Sequence, residues 1–176
     1  DGREVDLDYT NFEALNLDPH HPARQEYDRI WCKAPGSADS GPNRLLLRTH
    51  TSPVQVRAMQ SGPPPIRAIA PGRVFRQEEQ GATHEHTFHQ VEGLVVDRGI
   101  TVGHLTGTLR SFLRAFFERE VGVRLRPGYF PFVEPGFELD TQCPFCEPDD
   151  ASCRVCKGVR WVEPTIPLAP AAGAAP

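Results

Sequence analysis

The 176-residue sequence lacks any apolar run close to the roughly 20 residues that a membrane-spanning helix needs. It also has no secretory signal pattern, so we expect a cytoplasmic protein without membrane attachment. Positive charge is not in excess, since 19 basic against 23 acidic residues give a net charge of −4. A general polyanion binder is therefore excluded, and any contact with nucleic acid has to be local or carried by a partner.

Long helices are also scarce, because 18 prolines and 15 glycines imply many turns. The clearest helical pattern covers residues 100–120, with Thr101 as its expected N-cap. Its apolar residues recur at helical spacing: Leu105, Leu109, Phe112, Leu113, Phe116 and Phe117. The chain begins at Asp1 rather than at methionine, and we expect that it was trimmed or cut from something longer.

Short strands are expected around this helix. They are predicted for 44–48, for 66–70 up to a stop at Pro71-Gly72, and for two segments within 122–140. Ser52, as a capping hydroxyl, and Pro53 predict the start of a second helix. Strands and helices do not alternate regularly, so the pattern predicts an α+β fold with a mainly antiparallel sheet flanked by helices. The low-complexity residues 164–176 are expected to be disordered.

Polar residues occupy strand positions in "GRVFRQEEQGATHEHTFHQVEGLVV", from Gly72 to Val96. A period of two places Arg76 and Glu78 on one face of the first strand. Phe88, Gln90 and Glu92 likewise share a face of the second strand. One interpretation is the solvated face of an antiparallel sheet. The other is a binding site, in which arginine holds a phosphate or carboxylate, carboxylates hold an ammonium group or metal, and phenylalanine stacks on a base.

Two phenylalanines in "YFPFVEPG", Phe130 and Phe132, share a face of a predicted strand. They belong either to a packed core or to the wall of a pocket for an aromatic ligand.

Four of the five cysteines form the pattern C-x2-C-x6-C-x2-C. They are Cys143, Cys146, Cys153 and Cys156. Four thiolates at this spacing suit a tetrahedral zinc site in a reducing compartment. The alternatives are two separate C-x2-C motifs or a redox role. Cys32 stands alone and is expected to be an ordinary thiol.

Several of these motifs resemble one known family in the order in which they occur. "NFEALNLDPHHPAR", "LLRTHTSPVQVR", "APGRVFRQE", "ATHEHTFHQVEGLVVD" and "YFPFVEPGFELD" resemble the α chains of bacterial phenylalanyl-tRNA synthetases. "CRVCKGVRWVE" resembles a cysteine-bearing variant found in some members. The resemblance covers about residues 5–163 and implies a class II synthetase catalytic fold, so we expect residues 1–163 to be a partial catalytic core that includes the zinc site.

The resemblance also implies roles for individual residues, with the Gly72–Val96 stretch as motif 2. Arg76 would be the catalytic residue that holds the α-phosphate of ATP, with Glu78, His84 and Phe88 completing the nucleotide site. The amino-acid site would be lined by His50, Ser52, Gln55, Gln90, Glu92, Phe130 and Phe132. Glu134 would bind magnesium.

The implied function is activation of phenylalanine with ATP and its transfer to tRNA(Phe), in a heterotetramer with a β chain. The family's assembly helix (motif 1) and its second ATP-clamping arginine (motif 3) have no counterpart here, since "WVE" is followed by "PTIPLAPAAGAAP". We therefore expect this chain alone to be inactive. The alternative is a non-catalytic, zinc-stabilised remnant or a weak amino-acid or nucleotide-binding module.

Overall fold

The computed structural model describes residues 2–18, 20–21, 24, 29–77, 85–130, 133–147 and 150–162. The chain divides into two compact units, Asp1–Gly99 and Ile100–Pro176. The predicted disordered tail, 164–176, lies outside the described residues, and the division into a core and a tail stays a prediction. Among the described helices, none combines the length and apolar character needed to cross a membrane.

In its described residues, the first unit contains two antiparallel sheets and two short α-helices. Its elements are β1 (Val5–Leu7), α1 (Asp8–Asn11), a 3-10 turn (Glu13–Leu15), β2 (Trp31–Cys32), β3 (Leu45–Leu47), α2 (Ser52–Gln60), β4 (Ile66–Phe75) and β5 (Thr87–Val96). The first sheet has the order β1-β3-β2. Leu46, at the centre of β3, is completely buried against Phe12 and Leu17. The apolar run predicted as a strand is thus the core of this unit.

Strands β4 and β5 form a two-stranded antiparallel sheet, called here the β-ribbon. The predicted stop at Pro71-Gly72 is wrong, because β4 continues through both residues to Phe75. The Phe75 amide donates to the carbonyl of Arg48, which lies outside the ribbon. In an antiparallel pair such outward amides alternate along the strand, so Pro71 falls at an outward position. Its missing N–H therefore removes no bond between the two strands.

Buried charges connect the two sheets of this unit. Arg48 is 1% exposed, and its Nε donates to the carbonyl of Arg73 at 2.8 Å. A Cβ at Gly72 would overlap the Arg48 guanidinium, so glycine is needed for this close approach. Asp6 on β1 pairs with Arg57 on α2 at 2.5 Å. Burial of Asp6 opposes ionisation, but hydrogen bonds from Arg57 and Thr10 keep its pKa below the usual value.

The described part of the second unit contains one long helix and a three-stranded antiparallel sheet of order β6-β7-β8. The elements are α3 (Val102–Phe117), β6 (Val123–Pro127), β7 (Phe137–Gln142) and β8 (Trp161–Val162). The helix predicted at 100–120 and its N-cap are confirmed, since the Thr101 hydroxyl accepts a bond from the His104 amide. Of the predicted apolar stripe, Leu113 is buried, whereas Phe112 and Phe116 are about half exposed.

Asp140 holds the first two strands of this sheet together. It lies on β7, and Arg124 and Arg126 on β6 both donate to its carboxylate. These hydrogen bonds, with Arg126 contributing most, lower the pKa of Asp140.

Candidate functional site

The floor of the candidate site is one face of the β-ribbon. Its large side chains are Phe88, Gln90 and Glu92, which alternate along β5. They pair across the ribbon with Val74, Gly72 and Ala70, respectively. Each polar group of the floor is thus opposite a residue with little or no side chain, and the position over Gly72 is taken by the Arg48 guanidinium. The predicted sharing of one face by these three β5 residues agrees with this register.

Glu92 receives hydrogen bonds from the N-terminal turn of α2, which forms a wall of the site. Its Oε1 accepts the Thr51 amide at 3.2 Å. Its Oε2 accepts the Ser52 hydroxyl at 2.8 Å and the Gln55 amide group at 2.5 Å. The N-terminus of a helix favours a negative charge, so helix and carboxylate stabilise each other. Three of the roughly four acceptor positions of a carboxylate are occupied in this arrangement.

The predicted helix start at Ser52 is confirmed, but the capping role is wrong. Thr51 is the N-cap residue, and no side chain caps the helix. The Ser52 hydroxyl donates to Glu92 instead. The short polar side chain that the sequence suggests for a cap is used to bind a carboxylate from another strand.

Two buried polar atoms at this wall and floor have no hydrogen-bond partner among the described residues: Gln90 Oε1 and Thr51 Oγ1. A buried acceptor without a partner costs about 1–3 kcal/mol, so such an atom marks a position for the donor of a water molecule or a ligand. His50 lies beside them, with its ring edge against Phe12 at 6.2 Å between centroids. Burial lowers the pKa of His50 to about 4, so the ring is neutral at pH 7.

Arg76 lies just beyond the end of β4, where its guanidinium covers the Phe88 ring at 5.0 Å from the centroid. Its Nε donates to the Thr49 carbonyl at 3.2 Å, and its amide donates to the His86 carbonyl. These bonds fix the arginine while its two terminal nitrogens remain available to an anion, as judged from the described residues. The cation and the aromatic face form one surface suited to a phosphate next to a planar ring.

The structure does not test whether the other predicted site residues join this group. Glu78, His84 and Phe132 lie outside the described residues. Phe130 and Glu134 belong to the second unit, and their contribution to the same site stays a prediction. Phe130 is not in a regular strand but bridges Val133. Glu134 lines an open hollow formed by Pro127, Gly128, Tyr129, Val133, Pro135 and Gly136.

Some residues that shape the site were not predicted. Arg48 packs against β4 at Gly72, and the Asn11 side chain both donates to and accepts from Thr49, next to His50. A glycine within a strand was the available signal for Arg48, since such a glycine often marks close contact with another group. No local pattern indicated Asn11, which is 38 residues from its partner.

The four predicted metal ligands converge in the second unit, and their sulfur atoms all lie within 4.8 Å of one another. Cys143 and Cys153 are separated by 3.9 Å between Sγ atoms, and Cys146 and Cys156 by 3.6 Å. A zinc tetrahedron with bonds of 2.3 Å has edges of about 3.8 Å. Disulfide bonds would be much shorter, at about 2.05 Å. The group therefore has the dimensions of a tetrahedral metal site.

Backbone hydrogen bonds hold the segment 143–162, called here the four-cysteine module. The Cys143 amide donates to the Arg160 carbonyl at 2.7 Å, and the Lys157 amide donates to the Cys153 carbonyl at 2.8 Å. Next to the first pair of cysteines, Phe145 contacts Phe117 of α3 edge to face, at 5.8 Å between centroids. The sulfur positions are thus fixed by the turns of the module and by its contact with α3.

Comparison with known proteins defines the class to which this fold and site belong. Residues 1–165 match the sequence model of the family described as "tRNA synthetases class II core domain (F)". The chain belongs to this family. Its relatives include the phenylalanine–tRNA ligase alpha subunits of Pseudomonas entomophila (strain L48) and Azotobacter vinelandii (strain DJ / ATCC BAA-1303), each 52% identical over 163 residues. The resemblance inferred from the motifs is therefore confirmed.

The matched region is 93% of this chain and 45% of each of these relatives. The chain thus spans about half the length of the curated relatives that it matches. Among solved structures, it resembles the pyrrolysyl-tRNA synthetase of Desulfitobacterium hafniense, with a TM-score of 0.55 and 17% identity. That match covers 84% of this chain and 49% of the other, and it confirms the predicted class II α+β fold.

Proposed function

We propose that this chain is the part of a phenylalanine–tRNA ligase alpha subunit that binds phenylalanine and ATP. The observation that carries this proposal is the pair of acceptors on the β-ribbon floor: among the described residues, Gln90 Oε1 has no partner and Glu92 has one acceptor position left. The ammonium group of an amino acid supplies three donors and a positive charge. It therefore fits between these two side chains, and hydrogen bonds to a charged group stabilise it by about 1.5–3 kcal/mol each.

Arg76 and Phe88 would receive the nucleotide. Adenine would stack on Phe88 beside the Arg76 guanidinium, which lies 5.0 Å from the ring centroid, and the terminal nitrogens of Arg76 would meet the α-phosphate. In the reaction, the phenylalanine carboxylate attacks the α-phosphorus. A new C(O)O–P bond forms while the bond to pyrophosphate breaks. No general base is needed because the nucleophile is already an anion, so the role of Arg76 is to orient the phosphate and neutralise its charge.

Two metal sites complete the proposal. Glu134 would bind magnesium, which neutralises charge on the nucleotide phosphates. The four cysteines would hold one zinc ion with a structural role, because all four positions of the tetrahedron are taken by protein sulfur. Transfer of phenylalanine to tRNA(Phe), and assembly with a β chain, would follow in the complete enzyme.

The proposal is tested by titrating the purified zinc-loaded chain with phenylalanine in a calorimeter. We expect binding that Gln90→Ala and Glu92→Ala each weaken by at least about tenfold, because each variant removes a partner of a desolvated ammonium. Glu138→Ala is the matched control, since this half-exposed carboxylate pairs with Arg126 within the β6-β7-β8 sheet and not on the β-ribbon. Tyrosine and leucine serve as competing ligands.

Turnover is measured separately, as phenylalanine-dependent exchange of pyrophosphate into ATP. For these 176 residues alone we expect binding with exchange close to background, because the relatives contain about as much chain again. Phenylalanine binding that survives both floor variants would contradict the proposed site. A chain that binds neither phenylalanine nor ATP would instead support a non-catalytic zinc-stabilised module.

A further inference from the structure

The four-cysteine module separates its charges along the chain. Its first arm, residues 143–150, contains three acidic residues and no basic one, whereas residues 151–162 contain three basic residues and no acidic one. We name the three cations of the second arm, Arg154, Lys157 and Arg160, the basic strip. This local excess stands out because the whole chain has a net charge of −4.

The basic strip is exposed and lacks counterions. All three residues are exposed, and none forms an ion pair within the part of the chain that the structure describes. By contrast, Arg124 and Arg126 of the same unit both bind Asp140. A cation that is not already bound to a carboxylate can contact another anion without first breaking an ion pair.

The backbone that carries the basic strip forms a tight, hydrogen-bonded turn. Lys157, Gly158 and Arg160 have positive φ angles of 49°, 78° and 69°. Hydrogen bonds from the Lys157 and Val159 amides close the turn onto Cys153 and Cys156. Such left-handed positions are disfavoured for residues other than glycine, so the turn depends on these bonds and on the cysteine cluster. The side chains of the strip thus start from a preorganised turn next to an exposed apolar residue, Val159 (70% exposed).

We infer that the basic strip is an RNA-binding surface that contacts the phosphate backbone of tRNA. This inference rests on the proposed function, since a tRNA ligase must hold its polyanionic substrate. Compact zinc knuckles with basic residues are one of the common RNA-binding modules. A strip of three cations provides up to about three phosphate contacts, which gives affinity without sequence selectivity.

The test is the fluorescence anisotropy of a labelled tRNA(Phe) transcript titrated with the zinc-loaded chain at about 50 mM salt. We expect the logarithm of the association constant to fall linearly with the logarithm of the salt concentration, with a slope of about −2. This value assumes three phosphate contacts that each contribute about −0.7, as for single-stranded nucleic acid. The variant Arg154→Gln/Lys157→Gln/Arg160→Gln should bind about tenfold more weakly or worse, with a slope near zero. Each single substitution should reduce the slope by about one contact.

The matched control is Arg67→Gln/Arg110→Gln/Arg114→Gln, which removes three exposed cations elsewhere and gives the same net charge. Zinc content and phenylalanine binding are measured for every variant. Equal weakening in the control, or no binding of tRNA by the parent chain, would overturn the inference. Loss of zinc together with tRNA binding would also overturn it, since the cations would then compensate the negative charge of four thiolates around a divalent metal. Unchanged phenylalanine binding with reduced tRNA binding separates this inference from the proposed function.

Discussion

Glu92 and the four-cysteine module are both points where several polar groups converge, but they are assembled in opposite ways. The partners of Glu92 are 37–41 residues away in the sequence, on a helix outside the β-ribbon. The four cysteines lie within 14 residues of one another. One site depends on the fold of a whole unit, whereas the other carries its own geometry and needs mainly a metal. The difference predicts distinct responses to mutation.

The largest effect is expected for the metal. Cys143→Ser/Cys156→Ser should abolish zinc binding and unfold the four-cysteine module, because structural zinc contributes about 10–16 kcal/mol to small domains. The zinc content, measured by elemental analysis of protein purified under reducing conditions, should fall from one zinc per chain to none. Cys32→Ser is the control and should keep its zinc. Zinc retained by the double variant would show that these sulfurs are not the ligands.

The next effect concerns His50 and leaves the metal unchanged. Its pKa of about 4 in the folded chain lies below the value of 6.5 for an exposed histidine. Between these values the unfolded state binds more protons, so stability is complete above about pH 6.5 and falls as the pH drops towards 4, by about 3 kcal/mol. Urea unfolding measured across this range should show the slope. His50→Asn, which does not titrate, should reduce it, and an identical slope in this variant would exclude His50 as the cause.

A smaller effect is expected for Glu92 itself. Glu92→Ala should destabilise the first unit by about 2 kcal/mol, because donors on the α2 turn lose their acceptor. Glu138→Ala, in a half-exposed ion pair, should cost less than about 1 kcal/mol. Urea unfolding at pH 7 compares the two. Equal losses in the free energy of unfolding would mean that the hydrogen bonds to Glu92 contribute no more to stability than a surface ion pair. Glu92 would then not depend on the fold of its unit in the way proposed above.

The sequence predicted the local features well and the distant ones poorly. The spacing of the cysteines indicated their convergence, and helical periodicity indicated α3 with its cap at Thr101. The β5 side chains that share the floor were also predicted, since alternation along a strand is a local property. The family resemblance grouped Ser52, Gln55 and Glu92 in one site, but no local pattern indicated the bonds between them, because these depend on how separate elements pack. Ser52 shows the limit, since the same hydroxyl suits a helix cap or a carboxylate, and only the fold decides between them.

Proline in the middle of β4 has a consequence for the pairing of the ribbon. Pro71 is tolerated because it stands at an outward position, opposite Val91. A shift of β4 by one residue against β5 would move it to an inward position, where a donor is required. The same shift would turn Phe88, Gln90 and Glu92 away from the small residues that face them. Pro71 therefore favours the observed strand register. It disfavours the shifted hairpin, in which the floor of the site would not form.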